Sequence, residues 1–170
     1  MGFFSSKETK IKQVIKEFTF DTLRKFDAVV TRTKFEKFLN TSDGSNVIYA
    51  FLFGIGVFTW STREARIQYE HYLKIFETID QALFETGIDI KHHLELSNNY
   101  DEISKVFEDI MLNSMGVQWS IEKEKELLTK PNPDYQIIGS HYAKAYSVND
   151  MELAKVYFVK IVNDIENSIS

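Results

Sequence analysis

The stretch Val47-Ile-Tyr-Ala-Phe-Leu-Phe-Gly-Ile-Gly-Val-Phe-Thr-Trp60 runs for fourteen residues without a charge. An apolar span of about 10 to 14 residues is typical of a buried core helix, whereas a helix needs about 20 to cross a membrane. We therefore predict that this stretch is the central core helix of the fold. The alternative is a pair of strands that turn at Gly54-Ile55-Gly56, because β-branched and aromatic residues are abundant there and periodicity cannot separate the two cases.

The composition of the whole chain agrees with a helical domain. Its 170 residues are 44% hydrophobic and 14% aromatic, which is enough for one domain over residues 1–170 with a substantial core. Seven Gly and two Pro leave long uninterrupted segments, and these favour helices over a sandwich of short strands. The absence of Cys excludes disulfides, thiolate zinc sites and thiol catalysis, and it fits a reducing compartment such as the cytoplasm.

The segment before the core helix predicts one long amphipathic helix that continues towards Phe38. Apolar residues recur there at the helical spacing i, i+3, i+4 and i+7, in Ile11, Val14, Ile15 and Phe18. Asp21 or Thr22 could interrupt this helix, because short polar side chains compete for backbone hydrogen bonds. The polar run Thr41-Ser42-Asp43-Gly44-Ser45 predicts a turn that ends it.

A further helix is expected after the core helix. Ser61 and Glu64 have capping-box spacing, so the helix should begin there, and Gly87 is placed to stop it. Apolar residues form a seam with alternating steps of four and three, namely Ala65, Tyr69, Tyr72, Phe76, Ile79 and Leu83. This seam could pack on the first helix in an antiparallel hairpin or form a dimer, and burial inside the same domain is the more common use of so short a seam.

The second half of the chain predicts further helices. Asn99 followed by Glu102 caps one that Gly116 closes, and Ser120 to Leu128 forms a short helix with a water-facing charged side. The phrase Lys130-Pro131-Asn132-Pro133 breaks the chain before a final hairpin. We therefore predict an all-α fold, a compact helical bundle of six to seven helices.

The final hairpin carries a spacing that occurs in a known family. Its first helix has aromatic and small residues at Tyr135, Ile138, Gly139 and Tyr142, and its second has Ala154 followed by Phe158. Over residues 135–161 this pattern resembles one tetratricopeptide repeat, in which Gly139 and Ala154 would let two helices approach closely. The resemblance implies a scaffold that holds a peptide or partner helix and performs no catalysis. It places the binding residues on the inner helix face, at Gln136, Ser140, Lys144 and Asn149.

Charge is distributed unevenly along the chain. The net charge is −5, yet residues 1–37 carry nine Lys or Arg against five Asp or Glu. An acidic chain is a poor ligand for nucleic acid, so we expect no nucleic-acid binding. The acidic stretch from Glu77 to Asp109 has two explanations: it lies near the basic first helix of its own fold, or it steers a basic protein partner through Glu95, Asp101 and Glu102.

Parts of the sequence are compatible with two other kinds of function. The sequence Met1-Gly2-Phe3-Phe4-Ser5-Ser6 matches the N-myristoylation pattern, and a membrane surface could be bound by Phe3 and Phe4 together with four lysines, Lys7, Lys10, Lys12 and Lys16. The competing explanation is an ordinary frayed terminus whose phenylalanines fold back on the domain. A metal-dependent enzyme would have to use His92, His93 and Glu95, yet adjacent residues of a helix diverge by about 100° and cannot share a face.

The function that the sequence favours is therefore a non-catalytic, intracellular protein-interaction module. It would act as an adaptor or as a stoichiometric inhibitor that binds another protein through an acidic helical surface. Peripheral membrane association through the basic N-terminal helix is the alternative, and a metal-dependent enzyme comes third. We expect no metal and no cofactor, because no phosphate loop, zinc motif or nucleophile elbow occurs in the sequence.

Overall fold

The computed structural model describes residues 6–64, 67–87, 121–130 and 133–169, which contain seven α-helices and no strand. The helices are α1 (Lys7–Val29), α2 (Arg32–Leu39), α3 (Ser42–Ser61), α4 (Tyr69–Glu85), α5 (Ile121–Thr129), α6 (Tyr135–Ser147) and α7 (Met151–Ile169). The predicted all-α bundle of six to seven helices is confirmed. The strand pair at Gly54-Ile55-Gly56 is wrong, because α3 continues through these residues.

The predicted core helix α3 lies in the middle of the bundle. Its residues from Ile48 to Val57 are buried without exception, and Trp60 near its end is also fully buried. Helices α1, α2, α4 and α6 all pack against it, which explains why its sequence is apolar on every side. Among the described residues, Gly44–Ser61 is the one segment with the length and mean hydropathy, 1.2, of a membrane span, and 78% of it is buried inside the fold.

The first helix ends at Val29, so the prediction of one helix that continues towards Phe38 is wrong. Neither Asp21 nor Thr22 interrupts α1, because the Thr22 hydroxyl donates to the Phe18 carbonyl at 2.9 Å and leaves the helical ladder intact. The chain breaks instead at Thr31, where the backbone is extended. The Thr31 Oγ1 accepts a hydrogen bond from the Lys34 amide and so begins α2.

The turn predicted at residues 41–45 is reduced to a single capping residue. The Thr41 Oγ1 accepts a hydrogen bond from the Gly44 amide at 2.9 Å, and α3 therefore begins at Ser42. The Ser45 hydroxyl bonds to the carbonyl oxygens of Leu39 and Thr41. These side chains form hydrogen bonds with backbone amide and carbonyl groups that would otherwise bond to water. The polar run therefore starts a helix and does not form a separate turn.

Helix α3 and helix α6 approach until their backbones touch. A Cβ atom added to Gly54 would overlap the carbonyl oxygen of Gln136, and one added to Gly139 would overlap the carbonyl oxygen of Phe51. The Ser140 hydroxyl donates to the Gly54 carbonyl at 3.1 Å within this contact. Gly139 therefore brings α6 close to α3, and its close contact is not with the second helix of the hairpin as the tetratricopeptide resemblance implied.

Helix α4 begins later than predicted. Ser61 is the last residue of α3, so the helix predicted from Ser61 and Glu64 does not start there. The start of α4 is capped instead by Gln68, whose backbone N–H donates to Nδ1 of His71 at 3.0 Å. Its predicted end is confirmed, because α4 stops at Glu85 and Gly87 adopts the left-handed φ of +72° that ends helices.

The apolar seam of α4 packs inside the same chain. Tyr72, Phe76, Ile79 and Leu83 are buried against α1 and α3, while Ala65 lies outside the described residues. Two ion pairs give the relative direction of α1 and α4. Lys74 bonds to Glu8 at 2.7 Å and Lys16 to Glu85 at 2.9 Å, so residue numbers rise together along both helices. The two helices are thus parallel, and the predicted antiparallel hairpin is wrong because α3 lies between them in the chain.

The C-terminal part of the fold follows the sequence closely. Helix α5 confirms the short helix predicted at residues 120–128, and α6 starts at Tyr135, just after the proline phrase. Helices α6 and α7 form an antiparallel hairpin, in which the Tyr135 hydroxyl donates to Asp164 at 2.6 Å and the Tyr142 ring lies 6.4 Å from that of Phe158. The likeness of residues 135–161 to a tetratricopeptide repeat stays a prediction, and the helix predicted from Asn99 to Gly116 lies outside the described residues.

We expect the substitution Gly139→Ala to destabilise the protein by about 1–3 kcal/mol or more, because its methyl group would overlap backbone that cannot move away easily. Urea unfolding followed by circular dichroism measures the change. Gly87→Asn is the matched control, because its Cβ would meet no atom within 4 Å and Asn tolerates a positive φ. An unchanged urea midpoint for Gly139→Ala would show that the backbones of α3 and α6 are not in contact.

Candidate functional site

Among the described residues, exposed apolar side chains are concentrated where α6 turns into α7. Seven large apolar side chains are exposed among the described residues, and five of them fall within residues 148–159. We call these five residues the α7 corner; they are Val148, Met151, Leu153, Val156 and Val159. Their side chains are 39% to 67% exposed. Leu153, Val156 and Val159 follow one another at steps of three residues and share the outer side of α7, whereas Met151 lies about 160° from Leu153 around the helix. Single exposed apolar residues are ordinary, but a group of neighbouring ones is typical of an interaction surface.

The α7 corner includes the exposed start of α7. From Met151 to Val156 every side chain is exposed except that of Ala154. Backbone bonds hold the turn in place. The Asp150 amide donates to the Ala145 carbonyl at 2.9 Å, and the Asp150 carboxylate accepts from the Leu153 amide at 3.2 Å. Asn149 has a left-handed φ of 63°, which Asn tolerates better than most residues. The backbone of the turn is therefore preformed.

A second surface feature is a shallow groove along α1, which Tyr146 of α6 lines at one end. It consists of two adjoining cavities of about 280 and 390 Å³ that share Phe20 and Arg24 as lining residues. We call it the α1 groove; its other lining residues are Val14, Glu17, Phe18, Asp21, Leu23, Asp27, Arg32, Glu85, Thr86 and Tyr146. The larger cavity is within the range, roughly 300–1,000 Å³, of sites that hold small ligands or side chains.

Some charged groups of the α1 groove form ion pairs, and Arg24 does not. Arg32 bonds to the Oδ2 atom of Asp27 at 2.8 Å, and Glu85 bonds to Lys16. The Oδ1 atom of Asp27 is buried without a hydrogen-bond partner in the described part of the chain. Arg24 is exposed and makes no ion pair with any described residue. The groove thus offers an unpaired guanidinium beside apolar and acidic side chains.

Three tyrosine–carboxylate pairs join helices in the interior. The buried Tyr49 hydroxyl donates to Asp80 at 2.5 Å between α3 and α4, Tyr135 donates to Asp164 between α6 and α7, and Tyr157 donates to Glu124 of α5. Burial, followed by the adjacent carboxylate, raises the pKa of each of the three tyrosines. These hydroxyls therefore stay protonated donors that connect helices, and none of them is prepared for proton transfer near neutral pH.

The described histidines do not form a metal site. Nδ1 of His141 lies 3.2 Å from Glu124, and the ring of His71 stacks on Trp60 with centroids 4.7 Å apart. No group of three metal-ligating side chains occurs in the part of the chain that the structure describes. The histidine cluster that anchored the enzyme hypothesis, His92 and His93 with Glu95, lies outside the described residues.

The four binding residues implied by the tetratricopeptide resemblance do not share one exposed face. Gln136 is only 3% exposed, and the partly buried Ser140 donates to the Gly54 carbonyl, because this side of α6 packs against α3. Gln136 therefore cannot contact a partner in this fold. Lys144 and Asn149 are exposed at the end of α6 and in the following turn, next to the α7 corner.

The acidic surface is described only in part. Glu95, Asp101 and Glu102 lie outside the described residues. Within the acidic stretch, Glu85 forms an ion pair with Lys16 of the basic first helix, and Asp80 is buried. The explanation that the basic helix lies near the acidic middle of its own fold is therefore supported by one direct contact.

The lysines predicted for membrane binding point in different directions. Successive residues of a helix are about 100° apart, so Lys10 and Lys12 lie about 160° from each other around α1. Lys16, on the side of Lys12, pairs with Glu85 of α4, and Lys7 lies on the side of Lys10. The four lysines do not form one basic face, while Phe3 and Phe4 lie outside the described residues.

The α7 corner was missed by sequence reasoning although the sequence contains a signal for it. Between Met151 and Val162 nine of twelve residues are apolar or aromatic, which is more than one buried helix face requires. Ala154, Tyr157, Phe158, Ile161 and Ile165 are buried and suffice for that face. The excess apolar residues therefore indicate a second apolar surface on α7.

Comparison of the chain with models of known protein families, with curated protein sequences and with solved structures gave no match. A function can therefore be proposed only from the chain's own surfaces. The α7 corner holds most of the exposed large apolar side chains of the described residues, and Phe84 and Val29 are the other two.

We expect the protein to lose stability as the pH rises above about 10. The tyrosines of an unfolded chain titrate near pH 10, whereas the pKa values of Tyr49, Tyr135, Tyr142 and Tyr157 are raised in the folded state. Their contribution is complete below the unfolded pKa and is lost as the pH rises towards the folded values. Urea unfolding at a series of alkaline pH values, with tyrosinate absorbance, measures this loss.

The variant Tyr49→Phe provides the control for this expectation. It should be less stable by about 1–3 kcal/mol at neutral pH, because Asp80 loses a buried hydrogen bond. Above pH 10 its stability should fall less steeply than that of the wild type, by up to about 1.4 kcal/mol per pH unit for the one missing proton. Parallel curves for the two proteins would contradict the role assigned to Tyr49.

Proposed function

We propose that this protein is a non-catalytic protein-interaction module that binds its partner through the α7 corner. The observation that carries the proposal is the clustering of five of the seven exposed large apolar side chains within residues 148–159. Removing apolar surface from water yields about 25 cal/mol for each Å² buried. A partner that covers the corner gains this free energy, because the apolar side chains of the corner are exposed to water in the folded chain.

The shape of the corner determines what kind of surface it fits. We expect the exposed turn and the start of α7 to enter an apolar depression on the partner. Its backbone is already fixed by the bonds of Asp150 to Ala145 and Leu153, so little conformational entropy is lost when the partner binds. The flexible thioether of Met151 can adapt to an irregular pocket, and the stiff Val156 loses few rotamers.

Charged groups around the corner favour a partner with basic groups at the rim of its pocket. Asp150 and Glu152 stand at the exposed start of α7, with Lys155 one turn further. The chain as a whole carries a net charge of −5, which steers positively charged partners towards it. This agrees with the hypothesis of a basic partner, although the acidic residues concerned are Asp150 and Glu152.

The proposed role covers an adaptor and a stoichiometric inhibitor alike, because both bind a protein without reacting with it. The polar clusters in the described residues support a non-catalytic role, since the Tyr49–Asp80 and Tyr135–Asp164 pairs connect helices inside the bundle. A cytoplasmic location remains part of the proposal and rests on the absence of cysteine.

We expect a photoreactive amino acid at position 156 to crosslink specifically to the partner. Val156 is exposed at the corner, so a benzophenone side chain placed there would contact whatever covers it. Position 81 is the matched control, because Gln81 is exposed on α4 away from the corner. Irradiation in extract of cells that make the protein, followed by mass spectrometry, should give one recurring protein adduct at position 156.

The same adduct should disappear when Leu153→Lys is introduced beside the crosslinker, because a buried lysine would have to lose its water. Val29→Lys is the control, since it makes the same change at an exposed apolar residue at the far end of α1. Neither substitution should alter folding, as both sites are on the surface. Adducts at position 156 that are no more frequent than at position 81 would overturn the proposed function.

A further inference from the structure

We infer that His71 is a proton-sensitive helix cap, which holds the first turn of α4 while its imidazole is neutral and frees that turn when the ring becomes positively charged. The backbone N–H of Gln68 donates to Nδ1 of His71 at 3.0 Å. A backbone N–H donates and cannot accept, so Nδ1 must carry a lone pair and Nε2 the proton of the neutral ring. This inference concerns a different part of the fold from the α7 corner and does not rest on the proposed function.

The charged form of the ring is incompatible with this cap. In the imidazolium ion both ring nitrogens are donors. A proton on Nδ1 of His71 would therefore face the N–H of Gln68, and a repulsion would replace the hydrogen bond. His71 is also the third residue of α4, where the positive end of the helix dipole disfavours a positive charge. In acid the ring must turn away, or the chain at Gln68 must move.

The ring of His71 lies against the core through a contact with Trp60. The two rings are stacked, with centroids 4.7 Å apart and an angle of 25° between their planes. Trp60 is fully buried, and only 12% of the His71 side chain is exposed. The indole face attracts a cation as well, but it cannot replace the lost hydrogen bond. A ring that turns away uncovers Trp60, so release of the cap also opens this edge of the core.

The charged side chains around His71 balance one another in sign. They are Glu70 and Lys74 of α4, Glu8 and Lys12 of α1, and Arg63 and Glu64 directly after α3. The hydrogen bond from Lys74, at 2.7 Å, lowers the pKa of Glu8, so this pair keeps both charges while imidazoles titrate. Glu70 lies 3.9 Å from Nε2 of His71, but its side chain is 63% exposed and water screens the attraction. The contact with Gln68 is therefore the decisive one.

The other described histidine responds to acid in the opposite direction. Nδ1 of His141 lies 3.2 Å from Oε1 of Glu124. An ionised carboxylate only accepts, so this nitrogen is a donor, and a positive charge on the ring strengthens the contact. Imidazoles ordinarily take up a proton at about pH 6.5. We therefore expect the cap at His71 to be complete at about pH 8 and lost as the pH falls towards about 5, because its neutral ring binds fewer protons than an unfolded chain does.

Nuclear magnetic resonance of the isotope-labelled full chain tests the tautomer directly. At about pH 8 we expect the ring proton of His71 on Nε2 and a lone pair on Nδ1. As the pH falls, the amide resonance of Gln68 and the indole N–H resonance of Trp60 should move with the same midpoint as the His71 ring. A proton on Nδ1 at about pH 8 would overturn the inference, and so would a Gln68 resonance that ignores the titration of the ring.

The variant His71→Gln separates the cap from the charge. Glutamine at this helix position accepts a hydrogen bond from the backbone of the capping residue and does not titrate. Between about pH 8 and about pH 5 the equilibrium constant for unfolding in urea should rise about tenfold more in the wild type than in His71→Gln, which is the typical effect of one lost cap. Equal pH dependence of the two proteins would contradict the switch.

Two further variants serve as controls. His71→Ala lacks the acceptor at every pH, so it should already unfold more readily than the wild type at about pH 8. His141→Gln removes a histidine that faces a carboxylate, and the acid response of the Gln68 and Trp60 resonances should remain in it. Loss of that response in His141→Gln would assign the switch to the wrong histidine and overturn the inference.

Discussion

The backbone contact between α3 and α6 at Gly54 and Gly139 is the constraint on which the rest of the structure depends. Helices that pack through side chains keep their axes about 8–10 Å apart, and closer approach requires residues without a side chain. Here each glycine lies against a carbonyl oxygen of the other helix. The distance and rotation of α6 relative to the core helix are thereby fixed. Since α7 is connected to α6 by a short turn, the direction in which the α7 corner projects is fixed as well.

The remaining helices pack around α3 and α6, and their contacts bury α3 on every side. Tyr49 reaches from α3 to the carboxylate of Asp80 on α4, and the Phe26 ring of α1 contacts both Phe51 of α3 and Phe158 of α7. A buried carboxylate is costly unless it is hydrogen-bonded, so the Tyr49–Asp80 pair selects one rotation of α4. Contacts between aromatic rings and one polar pair thus fix the positions of the helices relative to one another.

The parts of the fold that were predictable from sequence are those governed by local composition. An uncharged run of fourteen residues identified α3, and the proline phrase identified the start of α6. The failures concern side-chain hydrogen bonds that sequence cannot assign. Thr22 bonds back to its own helix instead of breaking it, and the Ser61 hydroxyl donates to the Phe58 carbonyl of the helix it ends. Gly139 was recognised as a close-contact residue, but spacing cannot tell which neighbouring helix it contacts.

The exposed apolar surface of α7 was harder to predict, because an amphipathic pattern shows which face of a helix is buried and says nothing about its other faces. Helix α7 needs Tyr157, Phe158 and Ile161 for its contact with the bundle, and these residues satisfy the pattern completely. Val156 and Val159 add nothing to that contact, since they face outwards. Their exposure to water does not stabilise the folded chain, because branched side chains stabilise a fold only where other atoms pack against them. The physical role of these residues must therefore be sought in a contact that a single copy of the chain does not make.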